Sequence, residues 1–210
     1  MSAPISINLE LLDSCNIQCR HCYNFWREDF QKHTNKMTRE LFDKFLEMVI
    51  DSGVFHVVLS GGEPFMNFEV LEYGLKRLTE NGISNSVNSN LMLVTPEKIR
   101  RLRGVGLEHV LTSLNSYDSE TNDYICNKKG SFEKIVNGIK VTHAEGIRIS
   151  VNMIIYQKNK DQIYETGKFI NDLGCQRLFA TRIVPNVCLD TPDETSFKLE
   201  KEDAKKLHEY

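Results

Sequence analysis

The sequence carries no surplus of positive charge, no long apolar run and no basic leader. Its 26 Lys and Arg stand against 29 Asp and Glu, a formal charge of −3. That balance lacks the electrostatic footprint of a nucleic-acid binder or of a protein held on an anionic membrane. Nothing approaches the ~18 consecutive apolar residues of a membrane span. The first fifteen residues include Glu10 and Asp13 and no cleavage-type segment, so no signal peptide is read there. No low-complexity linker or internal domain boundary is visible. What remains is ordinary for a globular chain: 210 residues, 40% hydrophobic and 26% charged, enough to bury a core. The expectation is a soluble, cytoplasmic protein with neither nucleic acid nor membrane as partner.

The cysteines carry the first chemical information. Cys15, Cys19 and Cys22 fall within eight residues, while Cys126, Cys175 and Cys188 are scattered. In a reducing compartment, clustered thiols bind metal or perform redox chemistry more often than they form disulfides.

The rest of the chain repeats one phrase. Segments 51–60, 80–89, 104–113, 144–153 and 172–181 each place Gly third, an apolar residue or Cys next, and a strand-like run after it. Such a Gly suits the left-handed residue past a helix C-terminus, and the run suits a buried parallel strand. The intervals read as helices. Thr38 caps one carrying Leu41, Phe42, Phe45, Leu46 and Val49. Phe68 to Thr79 is the second, and Thr95 with Pro96 opens a third. Ser131 caps Phe132 to Ala144, and Asp161 to Leu173 follows. With a first strand at about 5–12 this makes six strand–helix units, hence a parallel sheet covered by helices. A closed eightfold barrel needs ~250 residues. The fold class expected is therefore α/β, a partial (βα)6 TIM-like barrel, with a doubly wound open sheet as the alternative. The last helix, from about Leu199, reaches Tyr210 without a stop signal, which suggests that the natural protein continues.

Cys15-Asn-Ile-Gln-Cys19-Arg-His-Cys22 follows the first strand directly, on the face where parallel α/β folds build their sites. Three thiolates can hold three irons of a cubane cluster and leave one iron open for a small molecule. Zinc is the alternative, but it wants a fourth ligand. His21 is too close to its neighbours to converge easily, so His33 or a distant Cys would have to serve.

The C-x3-C-x2-C spacing with aromatic Tyr23 after it resembles the cluster motif of the radical S-adenosylmethionine (radical SAM) superfamily, and the likeness extends over 5–210. Ser60-Gly61-Gly62-Glu63-Pro64 is similar to the family's GGEP motif, which supports the amino group of the SAM methionine. Ser89-Asn90 resembles its Thr-Asn-Gly segment, with Leu91 in place of Gly. Thr112-Ser113-Leu114-Asn115 is similar to the SLDG segment of peptide-modifying members, with Asn115 in place of Asp. Cys126 stands where an Arg is often found. Asn152 falls in the fifth strand, where the resemblance puts a polar residue near adenine and the bare sequence allows a satisfied core amide, and Arg182 resembles the Arg that holds the SAM carboxylate.

The resemblance implies a [4Fe-4S] cluster on Cys15, Cys19 and Cys22. It implies SAM bound by Tyr23, Gly61, Gly62, Glu63, Pro64, Asn90, Ser113, Asn152 and Arg182. Reductive cleavage of SAM would then yield a 5′-deoxyadenosyl radical that abstracts hydrogen from a substrate. Glu63 is expected to anchor its loop rather than to exchange protons. A peptide or protein substrate and an external one-electron reductant of the flavodoxin or ferredoxin type are the partners implied. The run RIVPN leans towards maturases with a SPASM-type C-terminal extension, and no Cys-rich extension lies within these residues. Residues 1–210 are then either the core domain of a longer maturase or a stand-alone member, such as an activating enzyme for a glycyl-radical partner. The competing class is a non-catalytic Fe–S or zinc module, which would have no use for GGEP or Arg182.

Overall fold

The computed structural model describes residues 4–22, 35–182 and 199–206. Six strands, β1 (Ser6–Glu10), β2 (His56–Ser60), β3 (Ser84–Asn88), β4 (His109–Ser113), β5 (Arg148–Ile155) and β6 (Arg177–Arg182), form one sheet. They are joined in chain order, β1-β2-β3-β4-β5-β6, and every neighbouring pair is parallel. A doubly wound sheet reverses its strand order at a switch point; this one never does. Successive right-handed crossovers that always step the same way put their helices on one face. The result is an arc of a barrel that does not close on itself, as the unit count predicts.

The helices are α1 (Arg39–Ser52), α2 (Phe68–Glu80), α3 (Pro96–Gly104), α4 (Ser119–Cys126), α5 (Ser131–Ala144), α6 (Ile163–Asp172) and α7 (Lys201–Lys206). Thr38 caps α1 by accepting from the Leu41 N–H, and Thr95 caps α3 by accepting from Lys98. The repeated glycines, Gly53, Gly82, Gly106, Gly146 and Gly174, all have positive φ, between 66° and 103°. The recurring phrase is thus a helix stop followed by a strand. Among the described residues, no helix is long and apolar enough to cross a membrane.

Each strand has two unlike faces. Val57, Leu59, Val87, Val110, Ile149 and Val151 point into one core with Phe42, Leu46, Leu71, Leu75, Ile99 and Ile139 from the helices. Polar residues on the other face pair across the strands: His56 is hydrogen-bonded to Ser84 at 2.9 Å and to Ser86 at 3.0 Å, and His109 to Ser150 at 2.9 Å. Burial pulls both histidines below their ordinary pKa.

Several local expectations are corrected. β1 ends at Glu10, and Leu12 instead makes an antiparallel bridge with Lys36. Gly130, not Ser131, occupies the N-cap of α5, and the Ser131 hydroxyl donates to Asp123 at 2.7 Å. The helix expected at 161–173 is a 3-10 turn, Lys160–Gln162, followed by α6. Helix α4 was not expected. Its sequence SETNDYIC has little apolar periodicity, and it is started by the Asp118 carboxylate accepting from the Thr121 N–H at 2.7 Å.

Candidate functional site

The cysteine loop leaves the end of β1 and is fastened first by backbone. The Leu11 N–H donates to Ser60 O at 2.9 Å, Gly62 N–H to Leu12 O at 2.9 Å and Glu63 N–H to Ser14 O at 3.0 Å. Residues 60–63 and 11–14 therefore continue the β1–β2 ladder up to the doorstep of Cys15. The approach is too close for side chains. A Cβ on Gly62 would overlap the Ser14 carbonyl, and one on Gly61 would strike Leu12 O at 2.5 Å with φ at +123°. The glycine pair was expected to approach a ligand; its first task is to let two backbones touch. Pro64 opens a short 3-10 turn, Pro64–Asn67, as a residue without an N–H can.

Glu63 is fully buried. Its Oε1 accepts from Ser89 Oγ at 2.7 Å and Phe65 N–H at 3.1 Å, and its Oε2 from Asn90 N–H at 2.9 Å. Burial raises its pKa, and these three donors work against the rise. With every contact turned to the loops after β2 and β3, it is an anchor. Asn90 completes the link: its Nδ2 donates to Asn16 Oδ1 at 2.7 Å and reaches Cys15 Sγ at 3.9 Å. Leu91, where the resemblance expects Gly, holds the left-handed conformation with φ at 57° and buries its side chain to 1% exposure. The backbone geometry suited to Gly is kept, at the cost of placing a bulky side chain in it.

Helix α4 closes the other side. Arg20 donates from its N–H to Ile125 O at 3.0 Å and from Nε to Tyr124 O at 2.9 Å. These are carbonyls in the last turn of α4, where intrahelical partners run out; Tyr124 O also accepts from the Asn127 N–H at 3.2 Å. Lys128 Nζ donates to Asn16 O at 2.7 Å. This docking brings Cys126 against Cys19. The Cys126 thiol and burial hold Cys19 well above the ordinary thiol range, while the same contact pulls Cys126 down. Cys15 and Cys22 also act electrostatically on Cys19. His21 packs 5.9 Å from the Tyr156 ring, and burial lowers its pKa to about 4. It is a neutral wall of the loop.

The remaining candidates sit apart from the cysteines. Ser113 and Asn152 lie opposite each other in the β4–β5 register. Asn152 Oδ1 accepts from Thr181 Oγ1 at 2.9 Å, which places it one residue from Arg182 at the end of β6. Arg182 is exposed. Asn115 is structural: its N–H donates to Asn122 Oδ1 at 3.0 Å, and its Oδ1 accepts from Ile154 N–H at 3.0 Å. Cys175 is a core residue whose thiol burial pushes up to about 11. Tyr23, His33 and Cys188 lie outside the described residues. Arg20, Lys128 and the Cys19–Cys126 contact carry no sequence signal. They depend on α4 folding back onto a loop a hundred residues earlier.

The donor set fits an iron–sulfur cluster. Three thiols stand on one loop, the only imidazole among them is neutral, and an amide N–H reaches the Cys15 sulfur. Among the described residues, no three His, Cys, Asp or Glu side chains converge as ligands of one metal ion. A cubane makes a different demand, one thiolate for each of three irons.

The family model for the radical SAM superfamily matches residues 9–170. The chain belongs to the radical SAM superfamily. It is 28% identical over 198 residues to the AdoMet-dependent heme synthase of Methanosarcina barkeri, covering 93% of this chain and 55% of the relative. It is 29% identical over 177 residues to the subtilosin biosynthesis protein AlbA of Bacillus subtilis, covering 82% of this chain and 38% of that one. Among solved structures, SuiB of Streptococcus suis bound to S-adenosylmethionine superposes with a TM-score of 0.80 at 19% identity, over 100% of this chain and 47% of that one. This radical SAM chain thus spans about half the length of the relatives that it matches. The superposition bears out the partial-barrel fold.

Proposed function

We propose that this chain is the core domain of a radical SAM enzyme that abstracts hydrogen from a peptide or protein side chain. Cys15, Cys19 and Cys22 would hold a [4Fe-4S] cluster. Gly61, Gly62, Glu63, Pro64, Asn90, Ser113, Asn152 and Arg182, together with Tyr23, would form the SAM site. When bound, that pair supplies one-electron reductive cleavage of SAM as the source of a hydrogen-abstracting radical. The chain's own work is positioning. The observation that carries the reading is the double fastening of the cysteine loop, by the Gly62 and Glu63 backbone bonds on one side and by Asn90 on another. Buried Glu63 ties both together, so the cluster loop and the proposed SAM-binding loops are held as one rigid piece. An electron-carrying or zinc module would not need that coupling.

The likeness to AlbA, a bacteriocin biosynthesis protein, supports a peptide substrate, as does that to the PqqA peptide cyclase of Bradyrhizobium diazoefficiens at 25% identity. The heme synthase match, over more of the chain, favours a second reading in which the product is a heme. The test is anaerobic reconstitution with iron and sulfide, then SAM and a strong reductant, with 5′-deoxyadenosine measured by mass spectrometry. Cluster-dependent 5′-deoxyadenosine in the wild type and none in Cys19→Ala is the expected result. Tight zinc without a cluster would overturn the proposal. Deuterium carried into 5′-deoxyadenosine from a labelled peptide or a labelled heme precursor then separates the two substrates.

A further inference from the structure

Beside the cysteine loop, positive charge gathers on one face. A surface concavity of about 310 Å³ is lined by Arg20, Asp123, Tyr124, Asn127, Lys128 and Lys129. Arg20 lies over the Tyr124 ring at 4.5 Å, and Lys158, from the loop after β5, lies over it at 4.3 Å. Lys129 and Lys158 are exposed. Two carboxylates, Asp123 and Asp118, stand against these four cations, Asp118 within the field of Lys158. Asp123 accepts from the Gly130 and Phe132 N–H groups and the Ser131 hydroxyl, and Asp118 caps α4. Four cations around one tyrosine are not the default surface of a chain whose formal charge is −3.

Two of these cations are bolted to the cysteine loop. Arg20 follows Cys19 directly and bonds the end of α4, and Lys128 bonds the carbonyl of Asn16, next to Cys15. The concavity therefore backs onto the loop, while the strand-end residues Ser113, Asn152 and Arg182 do not line it. We propose that the face made by Arg20, Tyr124, Lys128, Lys129 and Lys158 is the docking surface for an acidic one-electron carrier protein. This rests on the cluster reading given above. The reduced carrier would lose one electron and the cluster would gain it, across the backbone of residues 16–20. Complementary charge raises the encounter rate of such partners and leaves a marked dependence on ionic strength. An acidic peptide would also be attracted here. Its reacting side chain would then be held in a concavity that Ser113, Asn152 and Arg182 do not line, and for that reason the electron carrier is favoured.

The test uses reconstituted protein and reduced flavodoxin as the acidic carrier, with cluster reduction followed by stopped-flow absorbance and electron paramagnetic resonance. Photoreduced deazaflavin, a small reductant that needs no docking, runs in parallel. The double variant Lys129→Glu/Lys158→Glu, which alters only exposed side chains, should slow reduction by flavodoxin about tenfold or more at low salt. It should leave reduction by deazaflavin unchanged, which also shows that the variant folds and loads its cluster. Added salt should slow the wild type towards the variant. Equal flavodoxin rates in the two proteins would overturn the proposal, as would a variant that loses only the binding of an acidic peptide. No cluster reducible by deazaflavin in the wild type would sink the proposed function itself, and the docking surface with it.

Discussion

The ends of β1–β3 and the ends of β4–β6 are built on different principles. On the first side, buried Glu63 accepts three hydrogen bonds, two backbones touch through Gly61 and Gly62, and Asn90 reaches the cysteine loop. On the second side, the buried side chains of Asn115 and Asn159 brace the ends of β4 and β5, but Phe179 to Arg182 of β6 are all exposed. A cluster must be held in one geometry, and rigid, fully bonded surroundings supply that. The exposed end of β6 leaves room for the SAM and substrate proposed above. The comparison teaches that mutational cost should be high around Gly62 and Glu63 and low at the exposed end of β6.

The sharpest challenge to that comparison is Gly62→Ala. Its methyl group would overlap the Ser14 carbonyl, a backbone atom that cannot swing aside, so a loss of about 3 kcal/mol or more is expected. Urea unfolding and the iron content after reconstitution should both fall. A stable, fully loaded variant would show that the two loops are not locked together.

Leu91→Gly tests a conflict within the same region. It relieves roughly 1–2 kcal/mol of left-handed strain but removes a fully buried side chain, usually worth about 2–5 kcal/mol. A net loss of about 1–3 kcal/mol in urea unfolding is the outcome if burial wins. A gain would mean that strain dominates at φ 57°. Glu63→Gln should cost about 1–3 kcal/mol, because its amide would turn a donor against the Asn90 N–H. It should also change the pH profile. Burial raises the folded pKa of Glu63, so its contribution favours the fold fully below the ordinary carboxylate pKa and declines as pH rises through the folded value. Stability measured across that range should lose this component in the glutamine variant.

Arg182→Ala, on the open side, should change stability by no more than about 0.5 kcal/mol. Its effect is expected in SAM affinity alone, measured by titration of the reconstituted protein. A large loss of stability there would erase the contrast between the two sides.

Much was legible from the chain alone because it rests on local chemistry. The five glycines of the repeated phrase lie in the left-handed region because a helix must stop before each strand can begin. Thr38 and Thr95 cap their helices because a hydroxyl one position ahead of a helix reaches its free N–H groups. The three thiols with their short spacing and the GGEP run were readable as a pair of motifs. Tertiary structure alone decided what those motifs do to each other. Gly62 is required by the Ser14 carbonyl, forty-eight residues earlier in the sequence. Cys126 meets Cys19 because Arg20 bonds the end of a helix that shows no periodic signal. The cationic face around Tyr124 assembles side chains from the cysteine loop, α4 and the loop after β5. Caps and helix stops are set within a few residues of chain, where propensity acts. Contacts such as these come into being only when the sheet has brought distant strand ends to one edge.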